Sequence, residues 1–201
     1  MHKLFKDEIV IVSGLPRSGT SLVMTLLQDA GLQLLTDNCR LPDEDNPAGY
    51  FEYSPVKNMR VSTEWIILAR GKVVKVVSPL LPHLPPSEKY RIVLMLRNCE
   101  EVYASQQTML KNRGHSKRKN RNEVIRALTY QINEVQTWLN KQSNMMVHTI
   151  YYPQLVFDPF AECRQLCKFL GLNENVVDSL VGLVDPNRYR QRISIQNNQR
   201  S

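Results

Sequence analysis

The residues best suited to chemistry in this chain lie in one glycine-rich stretch, residues 14–21, with the sequence GLPRSGTS. The stretch follows a β-branched apolar run and precedes a helical pattern, a position in which backbone N–H groups and a helix N-terminus can surround a phosphate. Its spacing is that of the nucleotide-binding pattern GxxxxGK(S/T), but Thr20 replaces the lysine. Arg17 restores a cation, and its forked guanidinium suits sulfate or phosphate oxygens. The loop therefore predicts a phosphosulfate site rather than an ordinary ATPase site.

A second candidate residue ends the apolar run RIVLMLR, which finishes at Arg97. An NTPase would normally place a magnesium-binding Asp at the end of such a strand. A cation there instead suits another anionic group of the ligand, and Ser105 follows eight residues later on the next predicted helix. The absent lysine and the absent aspartate count against the best rival enzyme, a small P-loop kinase that transfers a phosphoryl group with magnesium.

Residues 16–21, together with Arg97 and Ser105, resemble the sulfotransferase family that uses 3′-phosphoadenosine 5′-phosphosulfate (PAPS). In this family a PRSGTT-like loop holds the 5′-phosphosulfate, and an arginine followed eight residues later by a serine holds the 3′-phosphate. The segments LTDNCRLPDEDNPAGYFEY, VVKVVSPLLPHLPP, LRNCEEVYASQQTML and DPNRYRQR are similar to blocks of bacterial sulfotransferase domains, so the resemblance spans nearly the whole chain. The donor-binding residues that it implies are Pro16, Arg17, Ser18, Gly19, Thr20, Ser21, Arg97 and Ser105.

The resemblance also indicates which cations take part in catalysis. Sulfuryl transfer needs cations that hold the charge developing on the leaving phosphate, and Arg17 is the first candidate. Lys75 resembles the lysine that precedes a Ser-Pro or Asp-Pro turn in tyrosine and carbohydrate sulfotransferases, where it contacts the transferring group. A strand-edge lysine in solvent is the alternative. The apolar run around Lys75 favours a function, because an unpaired lysine is costly to bury.

The catalytic base is open between two glutamates. Small-molecule enzymes of the family use a histidine, whereas the tyrosine and carbohydrate types use a glutamate placed after the second strand. Glu44 and Glu52 are the joint candidates here, and a solvated loop carboxylate is the alternative for each. His83, between two Leu-Pro turns, is predicted to be structural. Arg188, Tyr189 and Arg190 follow an Asp-Pro turn and are expected to close over the nucleotide, although the RKG signature of the family is absent.

The pattern of apolar residues predicts the elements that position these side chains. Strands are predicted at 8–13, 72–78, 90–97 and 145–152, and helices at 22–30 and about 99–112, 123–141 and 159–170. Strand and helix alternate, and the strands are continuously apolar, as is typical of buried parallel strands. We therefore expect a three-layer α/β fold with a mainly parallel sheet, which the family resemblance identifies as P-loop NTPase-like. Residues 36–55 are predicted to be an irregular surface connection.

Composition limits the class of protein. A chain of 201 residues with 42% hydrophobic and 22% charged residues fits one α/β domain over residues 1–201. The apolar stretch near the N-terminus is too short to span a bilayer, so we expect no membrane span and a cytoplasmic location. Cys163 and Cys167 share a helix face with Phe160 and Leu170 and are predicted to be buried thiols, so no metal is expected.

The formal net charge of +7 is concentrated in one segment, residues 111–121. Six cations and no acid lie there: Lys111, Arg113, Lys117, Arg118, Lys119 and Arg121. The segment contains no aromatic residue and so lacks the stacking platform of single-strand nucleic-acid binders. We therefore favour a solvated loop or a lid as the role of this segment. The alternative, a non-catalytic protein that binds a nucleotide or RNA through this segment, is less favoured. The sequence predicts a sulfotransferase that acts on a hydroxyl or amine of a small-molecule, carbohydrate or peptide acceptor, and it leaves that acceptor and the oligomeric state open.

Overall fold

The sheet of this protein consists of four parallel strands. A computed structural model describes residues 6–37, 39–40, 42–43, 46–47, 49–114 and 120–192. In the described residues the strands are β1 (Glu8–Gly14), β2 (Val73–Val77), β3 (Lys89–Leu96) and β4 (Met145–Tyr151), in the order β2-β1-β3-β4. All neighbours pair in parallel. The four predicted strands are confirmed, and their ends differ from the prediction by at most one residue.

Six α-helices occur in the described residues: α1 (Thr20–Asp29), α2 (Cys99–Asn112), α3 (Arg121–Leu139), α4 (Tyr152–Phe157), α5 (Pro159–Leu170) and α6 (Val177–Gly182). Short 3₁₀ turns lie at Ser54–Asn58, Glu64–Ala69, Ser78–His83, Glu174–Val176 and Pro186–Arg188. Local chemistry sets several helix ends. The Asp158 side chain caps α5 by accepting from the Ala161 N–H, and Gly171 ends it in the left-handed conformation. No helix in these ranges is long and apolar enough to cross a bilayer.

Helices cover both faces of the sheet, as the three-layer prediction requires. Val10 and Val12 of β1 face one core, which is completed mainly by α1, α5 and α6. Ile9 and Ile11 face the other core, which contains α3 and the 3₁₀ turns before and after β2. Because successive strand residues point to opposite faces and both faces are buried, the strands have continuous apolar sequences.

The helix α5 departs from the prediction at one position. Cys163, Cys167 and Leu170 are buried, as expected, but Phe160 is 52% exposed. Phe160 lies in the first turn of α5, before the buried positions that begin at Cys163. The helical period is therefore right, but the packed face begins one turn later than the period alone suggests.

The strand order creates the place where a ligand can bind. The chain passes from β1 to β2 on one side and then crosses to β3 on the other, so β1 lies at a topological switch point. Open α/β sheets bind ligands outside the carboxyl ends of the strands at such a point. The glycine-rich loop follows β1, and Arg97 follows β3, at this same edge.

Candidate active site

A cleft of about 270 Å³ lies at the carboxyl ends of the strands. Its walls come from the glycine-rich loop, β2, α2 and residues 185–191, together with Arg40, Asn46, Pro47, Tyr50 and Glu52. Of the lining residues, all within the described part of the chain, six are basic and two acidic: Arg17, Arg40, Lys75, Arg97, Arg188 and Arg190 against Glu52 and Asp185. This surplus of positive charge suits a ligand that carries several negative charges.

Two glycines give the loop its tight shape. A Cβ atom at Gly14 would lie 2.5 Å from Ser18 Oγ and 2.6 Å from the Met95 carbonyl oxygen. Gly19 has a φ of +106°, and a Cβ there would collide with the ring of Tyr152. Gly19 also precedes α1 and has no side chain to cap it. The first amides of α1 have no acceptor within the helix, so they can bind an anion.

Arg17 lies in the cleft and is held by Arg97, just after β3, and by Ser105 of α2. Its φ of +77° is uncommon for a residue with a side chain and marks a strained loop position. The Arg17 Nε–H donates to Ser105 Oγ at 3.1 Å, and its carbonyl oxygen accepts from Arg97 Nη1 at 3.3 Å. The three residues that the sequence singled out are therefore brought together.

Arg97 is buried among protein partners. Its side chain is 7% exposed, and its Nε–H donates to the carboxylate of Glu101 at 3.0 Å. Its Nη2 donates to the Gln191 carbonyl at 3.0 Å. Together with the Arg17 contact, these hydrogen bonds use three of the five N–H donors of the guanidinium. Among the described contacts, two donors therefore remain for a ligand. Its guanidinium also lies 4.7 Å from the ring centre of Tyr152.

Lys75 points into the cleft and not into solvent. Its Nζ donates to Ser21 Oγ at 3.0 Å and to the Tyr50 carbonyl at 2.6 Å. Burial lowers the pKa of Lys75 to about 8. The charge of Glu52 opposes this shift, and the charges of Arg40 and Arg17 add to it. Lys75 is thus a preorganised cation at neutral pH that can lose its proton in mildly basic solution.

Glu52 is the described member of the pair of candidate bases. Its oxygens lie 3.0 Å from Arg40 Nη1 and 3.0 Å from Lys57 Nζ. Burial acts to raise the pKa of Glu52, but Lys57 and Arg40 outweigh it, and the pKa is lower than usual. Such a carboxylate is ionised at neutral pH but is a weak base. Glu44 lies outside the described residues.

The other loop residues differ in what they offer a ligand. Pro16, Thr20 and Ser21 line the cleft. Ser18 does not line it: its N–H donates to the Leu15 carbonyl at 3.0 Å. Its buried hydroxyl has no hydrogen-bond partner among the described residues. Ser18 therefore contributes to the shape of the loop, and its donor contact stays a prediction.

The C-terminal segment reaches the cleft, where Arg188 and Arg190 belong to the lining. Arg188 Nε lies 3.7 Å from Asp185. Between the two arginines, Tyr189 is buried and its hydroxyl lies 2.7 Å from Glu101 Oε1. The sequence reasoning missed Glu101. Glu101 lies four residues after Arg97, and this spacing is the one signal that could have indicated that the two side chains pair.

The basic segment is only partly described, because residues 115–119 lie outside the described ranges. At its start Arg113 Nη2 lies 3.2 Å from the Tyr50 hydroxyl and 3.4 Å from Asp43. At its end Arg121 lies 2.6 Å from Glu100. Whether this segment is a lid or a solvated loop stays a prediction.

A parallel α/β sheet with a glycine-rich loop after its first strand and a cationic cleft beside it defines a P-loop protein. Residues 7–198 match the sulfotransferase domain family, and the chain belongs to that family. Its activity is therefore that of a sulfotransferase. No match is found among curated protein sequences.

Several solved sulfotransferase structures share this fold. Mouse sulfotransferase SULT7A1, in complex with PAP, has a TM-score of 0.58 and 14% identity over 94% of this chain and 68% of its own. The sulfotransferase domain of the Synechococcus PCC 7002 olefin synthase has a TM-score of 0.55 and 14% identity over 94% of this chain and 82% of its own. The domain from the curacin biosynthetic pathway has a TM-score of 0.53 and 19% identity, with 90% and 79% covered. At these identities the similarity establishes the fold.

Proposed function

We propose that this sulfotransferase binds PAPS in the cationic cleft and serves a hydroxyl or amine acceptor that is a small molecule, a carbohydrate or a peptide. The observation that carries the proposal is the meeting, in one cleft, of a glycine-rich loop, the uncapped start of α1 and six basic side chains. The bound donor supplies an activated sulfuryl group on a phosphate leaving group. The close surroundings of Gly14 and Gly19 also fit a loop that encloses an anion.

The donor contacts fall to two groups of residues in this proposal. Pro16, Gly19, Thr20 and Ser21 hold the 5′ end through the loop and the first amides of α1, with Arg17 as the cation. The remaining donors of Arg97, with Ser105 and the C-terminal arginines, hold the 3′-phosphate. These cations take the place that magnesium has in P-loop kinases, so we expect binding without a metal ion.

Arg17 and Lys75 carry the electrostatic part of catalysis. Negative charge grows on the leaving oxygen as the sulfur–oxygen bond breaks, and fixed cations stabilise that charge without reorganisation. Lys75 is fixed by two acceptors, Ser21 Oγ and the Tyr50 carbonyl. Glu52, kept ionised by Arg40 and Lys57, is the described candidate for removing the proton of the acceptor. Glu44 stays an equal candidate.

The test compares Arg17→Ala with Arg17→Lys and with the parent protein. Hydrolysis of ³⁵S-labelled PAPS reports sulfuryl release when no acceptor is known, and calorimetry gives the affinity for adenosine 3′,5′-bisphosphate. We expect Arg17→Ala to lower the rate by about 10²–10³, with a smaller loss of affinity, because the stabilised charge develops only in the transition state. Arg17→Lys should retain part of the rate. Full hydrolysis by Arg17→Ala would contradict the assigned role.

A further inference from the structure

Tyr50 lies where three side chains of the site meet. It is 5% exposed, and its carbonyl oxygen accepts the hydrogen bond from Lys75 Nζ at 2.6 Å. The guanidinium of Arg40 lies 3.1 Å from the centre of its ring. Arg40 in turn pairs with Glu52 at 3.0 Å. Tyr50 thus connects the candidate cation and the candidate base on one wall of the cleft.

The backbone around Tyr50 is turned in an unusual way. Gly49 and Phe51, its two neighbours, have φ values of +93° and +51°. The second value lies in the left-handed region, where a bulky side chain is a genuine outlier. Such conformations persist where surrounding contacts enforce them, and they are concentrated at functional sites. Here the turn brings the Tyr50 carbonyl to the ammonium group of Lys75.

The phenol group anchors this turn to two other parts of the molecule. The Tyr50 hydroxyl donates to the Asp43 carboxylate, whose oxygens lie 2.6 and 2.7 Å away. It accepts from Arg113 Nη2 at 3.2 Å, just beyond the end of α2. Burial raises the pKa of Tyr50 to about 12, so its hydroxyl keeps its proton and its role as a donor.

We infer that Tyr50 is a positioning residue for Lys75, whose anchored turn holds the ammonium group at the cleft and keeps it protonated. This inference rests on the proposed function, in which Lys75 acts on the transferring group. Tyr50 itself need not touch the donor. Because an N–H donor bonds a carbonyl more strongly when it is charged, displacement of the Tyr50 carbonyl favours the neutral amine.

The charges that face Lys75 increase the effect of the Tyr50 carbonyl on its protonation. Arg17 of the loop and Arg40 of the cleft wall disfavour the ammonium form, as does burial, whereas Glu52 favours it. Ser21 Oγ of α1 is its other hydrogen-bond partner among the described residues. The Tyr50 carbonyl and Glu52 therefore stabilise the ammonium form of Lys75, which the two cations and the loss of hydration destabilise.

The first experiment measures the pKa of Lys75 directly, by NMR of ¹³C-labelled lysine in the protein without donor, with Lys75→Arg to assign the signal. We expect the pKa to fall by about one unit in Tyr50→Phe and in Arg113→Gln, since the bond at stake is charge-assisted. Loss of the Arg113 charge alone would raise the pKa of Lys75. A fall in this pKa in Arg113→Gln would therefore report the displacement of the Tyr50 carbonyl and not the lost charge. Tyr90→Phe is the matched control, because Tyr90 is buried, donates to the Pro85 carbonyl and does not line the cleft.

The second readout is the pH profile of ³⁵S-PAPS hydrolysis. In both variants the alkaline limb should move to lower pH by the same amount, while the Kd of the bisphosphate changes by less than about twofold. An unchanged Lys75 pKa and an unchanged limb in folded Tyr50→Phe and Arg113→Gln would overturn the inference. Full hydrolysis by Lys75→Met would instead overturn the proposed role of Lys75, whatever Tyr50 does.

Discussion

A buried lysine opposes folding, and Lys75 is the clearest case of such a residue in this cleft. Its pKa of about 8 means that burial disfavours the charged form. At neutral pH the folded protein nevertheless carries this charge inside the cleft. The residue proposed to stabilise the developing charge in catalysis is therefore one that lowers the free energy of unfolding.

Lys75→Met should separate these two effects. We expect the free energy of unfolding at pH 7 to rise by about 1–3 kcal/mol, because the cost of burying the charge is removed. Donor hydrolysis should fall by about 10²–10³. The stability gain should shrink above pH 8, where folded Lys75 becomes neutral. Urea unfolding at pH 7 and pH 9 tests this, with exposed Lys89→Met as control; a less stable Lys75→Met would contradict it.

At the residue scale, the sequence indicated those members of the site that have a local signal. Arg17 lies in the loop after a predicted strand, Arg97 ends a predicted strand and Lys75 interrupts an apolar run, so each has an unusual neighbourhood. Glu101 has only its spacing of four residues from Arg97 as a signal, and that spacing is also typical of an exposed helix pair. Its burial depends on Tyr189, 88 residues away in the chain. A contact between residues so far apart in the chain leaves no recognisable pattern in a single sequence.

Among the elements, the segment 185–192 borders the cleft. Tyr189 packs its ring against Tyr152 at 5.1 Å and bonds Glu101. Arg97 Nη2 reaches the same segment at the Gln191 carbonyl. The segment is therefore held in place by contacts with residues that border the cleft. The positions of its arginines, Arg188 and Arg190, depend on these contacts.

Tyr189→Phe should loosen this segment without removing a cation. The lost hydrogen bond is charge-assisted but does not touch the ligand, so we expect bisphosphate affinity to fall roughly three- to tenfold. Calorimetry checks the affinity, and circular dichroism checks that the fold is kept. Tyr151→Phe, at an exposed position, is the matched control. Equal affinities in Tyr189→Phe and the parent would show that the segment does not depend on this bond.

The elements themselves were predicted unequally well. The strands followed from continuous apolar runs, which both buried faces of the sheet require. The sequence predicts a surface connection for residues 36–55, but Tyr50 is buried there and Glu52 forms part of the cleft wall. An irregular segment has no period, so its buried positions follow from distant partners such as Lys75 and Arg113.

At the scale of the whole molecule, one partly buried histidine links stability to pH. His148 lies on the edge strand β4 and stacks on Phe169 at 5.2 Å. Its buried Nε2 has no hydrogen-bond partner within the described ranges. Burial lowers the pKa of His148 below its ordinary value of 6.5, so the folded state favours the neutral ring.

This lowered pKa predicts a loss of stability in acid. The stabilising effect is complete above pH 6.5 and is lost as the pH falls towards the lower pKa of the folded protein, where the unfolded chain binds more protons. His148→Gln should therefore lose less stability than the parent between pH 7.5 and pH 5. Urea unfolding at both values measures it, with exposed His83→Gln as control. Parallel losses in parent and His148→Gln would contradict this explanation.

The most direct test of the whole account is calorimetric titration with adenosine 3′,5′-bisphosphate in EDTA. The cleft supplies its own cations, so we expect saturable binding that magnesium does not strengthen. Affinity for the bisphosphate should exceed that for adenosine 5′-monophosphate by about tenfold or more, because the 3′-phosphate adds charge-assisted contacts. Binding that requires magnesium, or a preference for ATP with magnesium, would contradict a sulfuryl-donor site and favour a P-loop kinase.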